Sequence, residues 1–73
     1  MKEYCFGIDI GGTTVKMGLF RTDGTLLDKW EIPTRTENGG EAILPDIAAS
    51  ALGRLEKMGL TKEMVEGIGI DVP

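Results

Sequence analysis

The chain has 73 residues, below the usual size of about 100–200 residues per domain. A single cysteine and no histidine exclude an internal disulfide, a Cys/His metal site and any Ser-His-Asp or Cys-His mechanism within the chain. Twelve acidic residues stand against eight scattered basic ones, a net charge of -4, which argues against a nucleic-acid surface. No apolar run approaches the roughly 18 residues of a membrane span. Asp9 interrupts the first apolar run, so the N-terminus does not read as a signal peptide. A lone thiol without a secretory signal suits a cytoplasmic location.

Residues 4–10 alternate as a strand, with Phe6, Ile8 and Ile10 opposite Cys5, Gly7 and Asp9. Gly11-Gly12 breaks the alternation. Residues 14–20 form a second strand, with Val15, Met17 and Leu19 on one face and Thr14, Lys16 and Gly18 on the other. The short connection through Gly11, Gly12 and Thr13 implies an antiparallel hairpin. Thr22-Asp23-Gly24 is a second turn, because Asp-Gly supplies the positive φ of a short hairpin. Residues 25–32 form a third strand with Leu26, Trp30 and Ile32 on one side.

Thr34 to Gly40 is polar and glycine-rich, a loop. Leu44, Ile47, Ala48, Ala51, Leu52, Leu55 and Met58 then recur at helical spacing and predict a helix over 42–58. Pro45 fits its first turn and Gly59 its stop. Thr61 to Glu66 reads as a short helical turn capped by Thr61. Residues 67–72 alternate as a fourth strand. The expected fold class is α/β: a mixed β-β-β-α-β sheet of order 3-2-1-4, with 67–72 parallel to 4–10 and the helix covering the face of Phe6, Ile8, Val15, Leu19, Ile68 and Ile70. The other face carries Gly7, Gly18, Gly67 and Gly69, which marks close approach of a second layer. Cys5 reads as a small core residue and Trp30 as packing on the sheet. Arg35 reads as a surface charge, and Asp71 as a solvated strand end.

The segment that bears chemistry is Asp9-Ile10-Gly11-Gly12-Thr13-Thr14-Val15-Lys16. Asp9 sets a carboxylate at the mouth of the turn. A hard cation such as Mg²⁺ takes one or two carboxylates and keeps its waters, so Asp9 suits it. Gly11 and Gly12 lack Cβ atoms and can take unusual φ, letting successive N–H groups converge on an anion. Thr13 and Thr14 add hydroxyls. Lys16 shares a strand face with Thr14 and brings a point charge. Neither a P-loop nor a dinucleotide-binding fingerprint is present. A bare Gly-Gly between strands is by itself a tight turn; the surrounding Asp, Thr and Lys residues argue for more.

The stretch from Gly7 to Phe20 resembles the first phosphate motif of the actin-like ATPase superfamily, whose lobes have a ribonuclease H-like fold. The double glycine followed by threonine is most similar to the ROK family of sugar kinases and repressors. Asp23-Gly24, Gly39-Gly40 and Gly67-Ile68-Gly69-Ile70-Asp71-Val72-Pro73 agree with it. The resemblance implies that residues 1–73 are the N-terminal part of an ATP-binding lobe. Its parent would be an ATP-dependent hexose kinase of glucokinase type. Asp9, Gly11, Gly12, Thr13, Thr14 and Lys16 would face ATP and its Mg²⁺, with Asp9 linked to the metal. The catalytic base and sugar ligands of the family lie further along, so no catalytic residue is expected here.

Two alternatives remain at this stage. One is a ROK-type sugar-responsive repressor, which needs a DNA-binding domain ahead of a first strand that here begins near Tyr4. The other is an ATPase activator of an acyl-CoA dehydratase. The segment alone is expected to be inactive and to self-associate.

Overall fold

A computed structural model of the chain describes residues 2–71. Four strands form one sheet: β1 (Tyr4–Ile10), β2 (Thr14–Arg21), β3 (Leu26–Pro33) and β4 (Val65–Asp71). Their order is β3-β2-β1-β4. β2 runs antiparallel to both β1 and β3, and β4 is parallel to β1. Between β3 and β4 lie a short turn α1 (Glu37–Gly40), the helix α2 (Ile43–Lys57) and a 3₁₀ turn (Lys62–Met64). Val72, at the end of the expected fourth strand, and Pro73 lie outside the described residues, as does the side chain of Asp71.

Register explains the two faces. Phe6 pairs with Leu19, Ile8 with Met17 and Ile10 with Val15, so one face of β1 and β2 is apolar as far as the Tyr4–Arg21 pair at its end. Phe6, Ile8, Val15, Met17 and Leu19 are buried there beneath Ile47, Ala51 and Leu55 of α2. Those three helix residues recur every four positions, one stripe along the helix. Trp30 joins them from β3. Its ring meets Phe6 edge-on at 6.4 Å, and its Nε1 donates to Ser50 Oγ at 2.8 Å. The Arg54 guanidinium lies 4.2 Å from the centre of the Trp30 ring and donates to Asp28 at 2.6 Å. These contacts bear out the packing role read for Trp30 and seat α2 towards β3.

That seating leaves β4 thinly covered. Ile68 and Ile70 project on the helix face by register with Phe6 and Ile8, yet they are 54% and 51% exposed. The expected cover over them is therefore absent from the described residues. Leu44 and Leu52, counted in the apolar stripe, are exposed for the same reason. A single helix layer is too narrow for four strands once it is anchored on Trp30.

Other boundaries move for local reasons. A register shift between Leu19 and Phe20 places Leu26 opposite Phe20. Leu26 consequently lies beside Gly18, on the face away from Trp30, not with it. The 34–40 loop contains a left-handed turn, with Asn38 at φ 55°, Gly39 at φ 74° and Gly40 at φ 80°. Thr61 precedes the 3₁₀ turn but makes no side-chain cap, and β4 begins at Val65, before residue 67. Pro45 lies in the first turn of α2, where its missing N–H is harmless.

Gly59 ends α2 as expected. It has φ 73°; its N–H donates to Glu56 O at 3.1 Å, and the Leu60 N–H donates to Leu55 O at 2.8 Å. This paired closure needs a left-handed residue. Gly59→Ala should cost about 1 kcal/mol, read as a lower urea midpoint with an unchanged m-value. An unaltered midpoint would show that the closure contributes nothing.

Candidate phosphate-facing site

The second face of the sheet presents a row of glycines, Gly69-Gly7-Gly18, aligned across β4, β1 and β2. The Phe20 ring folds over part of it. A Cβ at Gly18 would stand 2.8 Å from Phe20 Cε1, and one at Gly7 would stand 3.0 Å away. The close approach expected on this face is thus made in part by the chain's own aromatic ring. Cys5 lies on this face too, half-buried and outside the core, contrary to the core position expected for it. Asp9 pairs directly with Lys16 one step beyond the glycine row. Both are exposed and line, with Gly7, Gly18 and Phe20, an open depression of about 610 Å³. Lys16 makes no ion pair among the described residues. The backbone of Asp71 lies beside that of Asp9.

Gly11, Gly12 and Thr13 form the turn between β1 and β2, just past Asp9. Neither glycine has a positive φ. The expectation of an unusual φ is therefore corrected, and the need for glycine is steric at position 11 alone. A Cβ at Gly11 would lie 3.0 Å from Thr14 O, whereas one at Gly12 would have nothing within 4 Å. Gly11 lets the turn close on the Thr14 carbonyl, to which its N–H donates at 3.0 Å. That N–H is occupied. The Gly12 and Thr13 N–H groups have no backbone partner among the described residues. Gly12 and Thr13 are exposed and Thr14 is half-buried at the start of β2. The turn is therefore an open backbone surface flanked by one carboxylate and one ammonium group. The chemistry it can support is anion binding by amides and a lysine, with a carboxylate placed for a cation.

Sequence reading missed Thr34. Its hydroxyl donates to Gly11 O at 2.9 Å, and its N–H donates to Thr13 O at 2.9 Å. Only its position just past a strand end hinted at this. Arg35, next to it, holds Asp46 of α2 through two hydrogen bonds of 2.7 Å. That contact keeps the Asp46 carboxyl below the usual carboxylate range, and Asp46 in turn raises Arg35. A lowered carboxyl stabilises the fold above its unfolded pKa and loses that contribution as pH falls. Arg35 is exposed and Asp46 half-buried, so solvent screens the pair and it serves to fix the loop to the helix. In the second hairpin, hydrogen bonds from Thr25 lower Asp23 while Gly24 takes φ 97°.

Comparison with known proteins places this arrangement. No protein-family model matches the chain. It is 43% identical over 67 residues to a glucokinase of Halalkalibacterium halodurans, across 92% of this chain and 20% of that protein. A glucokinase of Thermotoga maritima is 44% identical over 46 residues, 63% of this chain and 14% of its own length. Among solved structures, a ROK family glucokinase from Streptomyces griseus in complex with glucose and AMPPNP superposes with a TM-score of 0.71 at 30% identity, covering 94% of this chain and 20% of that one. A putative sugar kinase from Cytophaga hutchinsonii gives 0.63 at 27% identity, over 92% of this chain and 21% of that one. The chain thus spans about a fifth of the length of the Halalkalibacterium halodurans and Streptomyces griseus glucokinases. Sequence and sheet order agree over nearly all of the 73 residues, and the chain matches one segment of the ROK family sugar kinases and shares their actin-like ATPase fold.

Proposed function

We propose that this chain is the N-terminal part of the ATP-binding lobe of an ATP-dependent glucose-type kinase, and that the β1–β2 turn is its first phosphate-binding element. The observation that carries this reading is the open Gly12–Thr13 backbone beside Asp9 and Lys16. The AMPPNP and glucose bound in the Streptomyces griseus relative support it. In the complete enzyme the γ-phosphoryl group of ATP passes to a hexose hydroxyl. Phosphoryl transfer calls chiefly for positioning and charge stabilisation. Gly12 and Thr13 would supply amides, Thr13 and Thr14 hydroxyls, and Lys16 a positive charge. Gly11 would supply the close turn. Mg²⁺ fits the single exposed carboxylate of Asp9, since it binds through one or two carboxylates and retains water. When bound, it would neutralise phosphate charge. The curated relatives, both glucokinases, favour this reading over a repressor or a dehydratase activator.

The test is a chimera in which this chain replaces the matching segment of the Halalkalibacterium halodurans glucokinase. Retained ATP-dependent glucose phosphorylation is expected. A folded chimera that binds glucose but cannot use ATP would refute the reading. We expect a cytoplasmic enzyme; no described helix is long and apolar enough to cross a membrane.

The chain by itself should lack kinase activity and self-associate. β4 is an edge strand, and Leu52, Ile68 and Ile70 beside it are more than half exposed. Such an edge offers unpaired backbone groups next to an apolar strip. Light scattering should show dimers or larger species; a stable monomer at high concentration would contradict this. Hexose-dependent ATP consumption by the chain would contradict its inactivity.

A further inference from the structure

Thr34 tethers the proposed phosphate turn from outside the hairpin. It is half-buried one residue beyond β3, and its two hydrogen bonds end on the carbonyls of Gly11 and Thr13. A peptide unit is planar and trans, so its C=O and N–H point in opposite directions. Drawing the Gly11 carbonyl towards Thr34 therefore turns the Gly12 N–H away from β3. Drawing in the Thr13 carbonyl likewise fixes the peptide plane between Thr13 and Thr14. Both carbonyls are thereby kept from facing an approaching anion. Glycine at position 12 adds no stiffness of its own, and a Cβ there would touch nothing. The orientation of its N–H thus depends on the tether.

Resting on the phosphate reading above, we propose that Thr34 is a positioning residue for nucleotide binding: its hydroxyl orients the Gly12 N–H towards a nucleotide phosphate. The hydroxyl is the separable part of the tether. Thr34→Val preserves the branched shape and the backbone bond to Thr13, and Thr34→Ser preserves the hydroxyl.

Two readouts test it. On the chain without nucleotide, residual dipolar couplings report the Gly12 N–H direction. Thr34→Val should rotate that vector, Thr34→Ser should leave it as in the parent sequence, and the Gly24 turn should not respond in either variant. An unchanged Gly12 vector in Thr34→Val overturns the proposal. In the chimera, Thr34→Val should raise KM for ATP about tenfold, with KM for glucose within about twofold, and Thr34→Ser should restore ATP use. Equal losses for both substrates, or no rescue by serine, would reduce Thr34 to a scaffold residue and also overturn the proposal. An unmutated chimera that folds and binds glucose but cannot use ATP would instead refute the phosphate reading, and the Gly12 vector would still decide whether Thr34 orients the turn.

Discussion

Asp9→Asn in the chimeric kinase is expected to lower turnover on the order of 10²–10³-fold, the scale of losing one charge-stabilising group. KM for glucose should stay within about twofold. Asp9 is exposed at the end of β1 and pairs across the sheet with Lys16, so the substitution removes charge without disturbing the core. Asparagine keeps the shape but loses the affinity of a carboxylate for a hard cation. A steady-state comparison with both substrates varied checks the result. Wild-type turnover in the variant would remove Asp9 from the site, and a rise confined to KM for glucose would assign it to the sugar instead.

Leu19→Ala should be the most damaging core substitution in the isolated chain. Leu19 has 0% exposure and lies within a core of eight buried hydrophobic residues among the described residues. Large-to-small changes at such sites cost about 2–5 kcal/mol. A chain of this length has roughly 4–11 kcal/mol of stability in all, so the variant should lose a large fraction of it and unfold at a much lower urea concentration. Leu44→Ala, on the 63% exposed Leu44, should shift stability by less than about 0.5 kcal/mol. Urea unfolding followed by circular dichroism compares the two. Similar midpoints for both variants would contradict the assignment of the core.

Much of this fold was legible because two periodicities alternate cleanly along the chain. Phe6, Ile8, Val15, Met17 and Leu19 fall on one strand face, and Ile47, Ala51 and Leu55 on one helix face. Those positions mark the buried layer from the sequence alone. The placement of the helix over the sheet was not legible. It depends on the Trp30–Ser50 hydrogen bond and the Arg54–Asp28 pair, contacts 20 and 26 residues apart in sequence. Helical periodicity shows which residues share a stripe but not which strands that stripe reaches, so Ile68 and Ile70 were expected to be covered. The side on which Leu26 lies was lost to a one-residue register shift, which inverts every side chain beyond it.

The site divides in the same way. Asp9 and Lys16 were readable as residues on a common face, and register makes them direct neighbours. Thr34 was not readable, because it reaches the turn from 23 residues away. Gly11 and Gly12 were read as residues able to take unusual φ, yet neither has a positive φ, and they differ in what a side chain would strike.

A titration of the chain with Mg²⁺-ATP into the millimolar range, followed at the backbone amides, tests whether the Gly11–Thr13 turn faces nucleotide phosphate. Weak, saturable shifts are expected, largest at Gly12 and Thr13, weaker with Mg²⁺-AMP, and none at the Gly24 turn. Shifts of equal size with Mg²⁺-AMP, or shifts centred on the Gly24 turn with Gly12 and Thr13 unmoved, would contradict that placement.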